Sequence, residues 1–392
     1  MSARFGLFER FGVELEYMIV DCETLAVRPI ADRLLGTGGD VEFGDVTWSN
    51  ELVAHVIELK TAEPAKSLDG VAERFRTSIR EINKRLAPHG AMLLGTGMHP
   101  TMDPLRETVL WAHEYSAVYE AFDRIFGCRG HGWANVQSCH LNLPFANDEQ
   151  FGRLHAAIRM LLPILPALSA SSPVVGGQLT GLLDTRLEYY RKNSARVPSV
   201  CGRVVPEPVF SEADYRAKIL GRIYADLAPM DPAGVLRDEY ANARGAIARF
   251  GRGSIEIRVL DVQDEPGRDL AILELVVAVL RGLVAERWCS YEQQRAFDTD
   301  ELADVFEAVI RDGDAEGTID PAYAAALGCI GLRASAIWSE LARELHAEGA
   351  IGPAAAKLAQ KGEPLAASIS HEIRGGRSVD AVYRELASRL GK

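Results

Sequence analysis

Glu14 and Glu16, two residues apart, open the first alternating segment of the chain, and carboxylates recur in similar settings at Glu58 and Glu256. Side chains alternate across a strand, so residues two apart share a face. In Gly12–Asp21, Glu14 and Glu16 oppose Val13, Leu15 and Tyr17; in 254–261, Glu256 and Arg258 oppose Ile255, Ile257 and Val259. In 136–143, Ser138, His140 and Asn142 oppose Cys139, Leu141 and Leu143, and in 55–60, Glu58 and Lys60 oppose Ile57 and Leu59. A half-solvated antiparallel sheet would alternate in the same way. Solvated faces, however, favour Thr, Lys and mixed charge, whereas Glu14, Glu16, Glu58 and Glu256 are all acids. Two carboxylates 4 Å apart repel by about 1 kcal/mol in water and about 4 kcal/mol at an effective dielectric of 20. Such groups converge only with raised pKa values or bound cations. Carboxylate oxygens and a histidine nitrogen around a hard ion suit Mg²⁺ or Mn²⁺, which commonly hold substrate phosphates. The expectation is a metal–nucleotide site on a sheet.

Absent motifs narrow that expectation. The chain has no G-x-x-x-x-G-K-[ST] loop, and Gly95-x-Gly97 does not extend to G-x-G-x-x-G. H-E-x-x-H and G-x-S-x-G are missing as well. An ATP site here would rest on metal-bridged phosphates and arginines.

The elements that must position these residues are legible in outline. The chain has 392 residues, 47% of them hydrophobic, with 43 Lys+Arg against 55 Asp+Glu and a net charge of −12. That composition is globular, and its acidity argues against a nucleic-acid partner. Gly12–Asp21, 55–59, 91–95, 136–143 and 254–262 read as strands, with helices over 67–86, 105–126 and 148–168. Leu68, Val71, Phe75, Ile79, Ile82 and Leu86 fall at steps of three and four, and Pro88 and Gly90 end that helix. The stretch 169–208 is polar, arginine-rich and broken by Gly and Pro, as functional loops often are. After 267 the pattern is helical, over 269–288, 299–311, 321–348 and on to 390. The expected architecture is an α+β catalytic core over 1–266 with a C-terminal helical layer over 267–392 packed on it. The apolar helices of that layer could bury a homodimer interface. The six cysteines form no C-x-x-C pair and read as reduced thiols of a cytoplasmic protein, with Cys139 in the core. The N-terminus lacks a targeting pattern, and the most apolar stretch, 270–284, is too short to span a bilayer and contains Glu274 and Arg281, so no membrane role is expected.

Seven ordered blocks then carry a resemblance: GVELE at 12–16, ELVAHVIEL at 51–59, GMHP at 97–100, VQSCHL at 136–141, LSASSP at 168–173, DTRLEYYRKN at 184–193 and GSIEIRVLD at 253–261. Together they resemble the bacterial glutamate–cysteine ligase family 2, carboxylate–amine ligases related to glutamine synthetase. The resemblance implies a curved, largely antiparallel sheet with one acidic concave face and helices on the other. It also implies a reaction in which ATP phosphorylates the γ-carboxylate of glutamate and an amine, by default cysteine, displaces the phosphate. On this resemblance Glu14, Glu16, Glu58, His140 and Glu256 are metal ligands, and Glu256 and Arg258 act in catalysis. Glu51, Arg186, Arg191, Asn193 and Arg258 bind substrate or nucleotide. The family often has a second histidine two residues before the one matching His140; here that position is Ser138, and the composition of 187–203 is also unusual.

Plainer readings stand beside these. Glu51 could be a solvated loop acid, His99 could only shape the turn before Pro100, and Arg186 and Arg191 could be structural partners of Asp184 or Glu188. At the level of function, the alternatives are a metal-dependent phosphotransferase or hydrolase on the same acidic sheet, or a non-catalytic relative binding nucleotide or glutamate.

Overall fold

The alternating segments build one large sheet. The computed structural model describes residues 4–392. Its strands are β1 (Gly12–Asp21), β2 (Val41–Phe43), β3 (Val46–Asn50), β4 (Val56–Thr61), β5 (Ala91–Leu94), β6 (Ser138–Pro144), β7 (Val174–Val175), β8 (Gln178–Leu179), β9 (Ala246–Arg249) and β10 (Ser254–Asp261). Eight of them form an antiparallel sheet in the order β2-β3-β4-β1-β6-β10-β9, with β5 also on β1, while β7 and β8 form a separate hairpin. β1 is the pivot. Glu14 lies opposite Lys60 of β4 on one edge and His140 of β6 on the other. Met18 lies opposite Val56 of β4 and Leu94 of β5, so β6 and β5 share that second edge in turn.

One face of the sheet is the core. Val13, Leu15, Tyr17, Ile57, Leu59, Leu141, Leu143 and Ile255 are fully buried there. Three helices, Val71–Leu86, Asp148–Leu161 and Pro266–Val284, bury apolar residues in the same core. Val71, Phe75, Ile79, Ile82 and Leu86 point inward, each burial contributing about 1.5–3 kcal/mol, and Gly90 closes the following turn in the left-handed region at φ 64°. Pro266–Val284 starts with proline, where no N–H is needed, and Glu265 caps Gly267 N at 2.9 Å. It is apolar on nearly every side because it is enclosed by protein. The same apolar cluster continues to Ile337, Trp338 and Leu341, so the chain on either side of position 266 shares one core.

At the far end of β1 the opposite face also turns apolar. Met18, Val20 and Leu94 pack with Leu365, Ile369, Tyr383 and Leu386 of the two last helices, Leu365–Arg374 and Val379–Arg389. Among the described residues no helix is long and apolar enough to cross a membrane.

Several local expectations change. The helix expected over 105–126 is two, Pro104–Glu107 and Ser116–Phe126. Between them the backbone bonds to the loop after β3, with Ala54 N donating to Val109 O at 2.9 Å and Trp111 N to Leu52 O at 3.0 Å. The helix expected over 321–348 is also divided, into Pro321–Ala326 and Ala334–Ala347, around Gly328 with φ 73°. The 169–208 stretch holds the β7–β8 hairpin and the helix Thr185–Tyr190, capped by Asp184. β2, β3 and β9 are short strands that the sequence pattern did not reveal.

Candidate active site

The polar faces of β1, β4, β6 and β10 meet at one cavity of about 560 Å³, a volume suited to small substrates. Strand register explains the meeting: Glu16 pairs with Glu58, Glu14 with His140, and Glu256 with Asn142. Ser138 N donates to Glu16 Oε2 at 2.7 Å and Ser138 Oγ donates to the same oxygen at 3.0 Å. His140 Nε2 lies 2.9 Å from Ser138 Oγ, its Nδ1 lies 3.1 Å from Glu14 Oε2, and Asn142 Nδ2 donates to the other Glu14 oxygen at 3.0 Å. The Ser138 proton is committed to Glu16, so His140 donates from Nε2; with Glu14 also an acceptor, both ring nitrogens have partners suited to the charged ring. Burial alone would lower the His140 pKa, but the hydrogen bond to Glu14 and the charges of Glu16 and Glu256 raise it. Glu14 answers in the other sense: burial pushes it up, while its bond to His140 prevails and lowers it.

Two overlapping donor sets fit a hard cation. Single ligand atoms of Glu14, Glu58 and His140 lie within 4.8 Å of one another, as do those of Glu16, Glu51 and Glu58. Burial, together with Glu14 and Glu51, pushes the Glu58 carboxyl well above its usual range. Burial and the neighbouring Glu16 raise Glu51 to about 8. Carboxylates forced together this way are stabilised in the charged form by bound cations, and their oxygens are the ligands Mg²⁺ and Mn²⁺ prefer.

The β9–β10 side differs. Glu256 accepts from Arg258 Nε at 3.1 Å and from Arg249 Nη1 at 3.0 Å. Burial would raise its pKa, yet Arg258, His140 and Arg249 hold it down at about 2. Arg249 Nε and Arg186 Nη2 are buried on the cavity lining without a hydrogen-bond partner among the described residues. Arg252 also lines the cavity. Across it, Lys60 Nζ lies 3.1 Å from Asp40 and 3.7 Å from Glu58. Aromatic rings complete the wall: Tyr115, Tyr119 and Phe122 from the Ser116–Phe126 region, with Trp133, Tyr190 and Tyr240. Phe122 and Trp133 have ring centroids 5.4 Å apart, and Tyr119 OH accepts from Asn50 Nδ2 at 3.0 Å.

The sequence profile of glutamate–cysteine ligase family 2 matches residues 10–349. The chain belongs to that family. An uncharacterized protein of Archaeoglobus fulgidus is 38% identical over 280 residues, 70% of this chain and 75% of that one. A Rubrobacter xylanophilus protein, named provisionally as glutamate–cysteine ligase 2-3, is 28% identical over 283 residues, 70% of each. Among solved structures, the bifunctional glutathione synthetase of Pasteurella multocida superimposes with a TM-score of 0.65 at 16% identity, covering 97% of this chain and 52% of that one. The chain thus spans about half the length of that enzyme, and the likeness is one of fold. The α+β architecture with a large antiparallel sheet agrees with the one expected from sequence.

Within this ligase-family chain, the cavity gathers Glu14, Glu16, Glu51, Glu58, His140, Arg186, Asn193, Glu256 and Arg258. Glu51 is therefore no solvated loop acid. Arg191 stands apart from the others: it pairs with Glu188 at 2.6 Å and with Glu307 at 3.4 Å and does not line the cavity. The Thr299–Asp312 helix, which carries Glu307, supplies that partner. His99 shapes its turn, accepting at Nδ1 from Thr101 N and Met102 N at 3.2 and 3.0 Å and donating from Nε2 to Leu25 O at 2.6 Å. Cys139 is buried in the core. Sequence reasoning missed Arg249, Arg252, Asp40 and the aromatic wall. The two arginines flank a Gly-punctuated turn just before the GSIEIR block, which is the one local signal they leave.

Proposed function

We propose that this protein is an ATP- and Mg²⁺-dependent ligase joining the γ-carboxylate of glutamate to an amine, with cysteine the default acceptor. The observation that carries the reading is the convergence of five glutamates and His140 with Arg186, Arg249 and Arg258 around a single cavity. Transfer of a phosphoryl group between two anions needs positioning and charge neutralisation more than covalent help from the protein. The γ-carboxylate oxygen attacks the terminal phosphorus of ATP and ADP leaves; the amine nitrogen then attacks the acyl carbon, and inorganic phosphate leaves as the amide forms.

In this reading Glu14, Glu16, Glu51, Glu58 and His140 hold divalent cations, with Glu256 as a further ligand. Those ions supply charge neutralisation along the phosphates and polarise the transferred group. Arg249 and Arg258 hold Glu256 ionised and present guanidinium nitrogens for oxyanions, which arginine can grip at two points. The aromatic wall excludes water and offers faces on which a base or an apolar acceptor can stack.

The test is ADP release from ATP and Mg²⁺ with glutamate held constant and amines screened, with the product identified by mass. Amine-dependent turnover to a γ-glutamyl amide is expected. Phosphate or ADP release that no amine stimulates, with no amide formed, would replace this reading with the phosphotransferase or hydrolase one.

A further inference from the structure

Asp261 ends β10, and strict alternation would turn it to the core with Ile255, Ile257 and Val259. A bulge intervenes: Ile257 pairs with Leu141, but Leu260 already pairs with Cys139 and Asp261 with Ser138. The extra residue swings Asp261 onto the site face, beside the Ser138 that bonds Glu16. There the carboxylate is fully buried and fully engaged. One oxygen pairs with Arg186 Nε; the other accepts from Ser171 N at 2.8 Å and Ser172 Oγ at 2.7 Å. Ser172 Oγ in turn accepts from Arg186 N at 3.1 Å, so the serine ties both partners together. Residue 97 must be glycine for this packing, since a Cβ there would collide with the Asp261 carboxylate.

Arg186 is only 1% exposed, yet Nη1 has just a long 3.4 Å contact to Arg258 O, and Nη2 has no partner among the described residues. Burying a guanidinium with unfilled donors is costly unless something completes it. We propose that Asp261 is a positioning residue that locks Arg186 through Nε, leaving Nη2 preset to bind an oxyanion in the cavity. Asp261 fills only the Nε donor of the guanidinium while Ser172 holds the Arg186 backbone N, so the Nη nitrogens are what a carboxylate or phosphoryl oxygen would meet. This rests on the ligase reading only for the identity of the anion, glutamate carboxylate or nucleotide phosphate.

Calorimetric binding of L-glutamate and of ATP–Mg²⁺ to the full chain decides the matter, with melting temperatures alongside. Wild type is expected to bind both. Asp261→Asn should weaken one of the two ligands about ten-fold and spare the other, and Arg186→Lys should weaken the same ligand. The double variant should be no more than about two-fold weaker than Arg186→Lys, because the two residues act as one unit. The milder Ser172→Ala should weaken that ligand about three-fold with the melting temperature held, which keeps the test decisive if Asp261→Asn folds poorly. In turnover, KM for that ligand should rise more than kcat falls. Equal weakening of both ligands, an undiminished Asp261→Asn effect in the Arg186→Lys background, or failure of wild type to bind either anion overturns the proposal. A wild type that binds both ligands yet makes no amide removes the ligase reading and leaves this one standing.

Discussion

Two halves of the same cavity treat the same residue type in opposite ways. On the β1–β4 side, half-buried Glu51 and buried Glu58 sit beside other carboxylates, and their proton affinities rise. On the β9–β10 side, Glu256 is just as enclosed, but Arg249 and Arg258 keep it ionised. The first half is electrostatically incomplete without added cations; the second carries its own. Burial therefore does not set the charge of a site carboxylate. The sign of its nearest neighbours does. Under the proposed ligase reading, one half of each kind suits a metal-bound nucleotide and an anionic substrate respectively.

Glu256→Gln should cut turnover by at least about a hundred-fold, through loss of a metal ligand and release of two arginines from their partner. It should also destabilise the protein by roughly 3 kcal/mol, since removing one member of a buried pair strands the other. Near-wild-type rates in a steady-state assay would end the assignment of Glu256 to the machinery.

Glu58→Gln should act with the opposite sign on stability. Mg²⁺ affinity should drop about ten- to a hundred-fold, because Glu58 belongs to both donor sets. In chelator, however, this variant should melt at a higher temperature than wild type, because one repelling carboxylate is gone. Thermal melts with EDTA and with Mg²⁺ read both effects, and a lower melting point in EDTA would show that Glu58 stabilises this half without metal.

Titration sharpens the contrast. Glu51 has a folded pKa of about 8, above the unfolded carboxyl value, so the native state binds the extra proton. Its contribution to stability in chelator should fall as pH rises from about 4.5 to 8, and saturating Mg²⁺ should flatten that slope. Glu256 is depressed to about 2, so its contribution is present above about 4.5 and disappears as pH falls toward 2. Denaturant unfolding of wild type against Glu51→Gln isolates the first term: their difference should grow toward pH 8 without metal. A difference independent of pH would show that Glu51 keeps an ordinary affinity for its proton.

The smallest effect belongs to Arg191, which lies outside both halves. Arg191→Ala should leave turnover within about two-fold and cost no more than about 1 kcal/mol, as for other part-exposed ion pairs. A large loss of substrate affinity in this variant would mean that the helix turns Arg191 inward on binding.

Much of the site was legible along the chain because strand parity is a local property. Once Val13 and Leu15 are assigned to the core, Glu14 and Glu16 can only face the other way, and the same holds around Glu58, His140 and Glu256. Arg249 and Asp40 escaped because their strands or loops are too short to display a period. The aromatic wall escaped because Tyr119, Trp133 and Tyr240 come from three segments that share no pattern. Arg191 stands apart from Arg186 although the two share a helix and its immediate end, because five helical steps turn the second well away from the first.

What the residues determined by themselves, then, is which side chains stand together on each strand and helix face, since backbone geometry repeats every two or 3.6 residues whatever lies nearby. Only the tertiary structure decided which faces meet and that a one-residue bulge aims Asp261 at Arg186. Those outcomes depend on pairings between strands more than a hundred residues apart, and a proton affinity is set by whatever such pairings bring within a few ångströms.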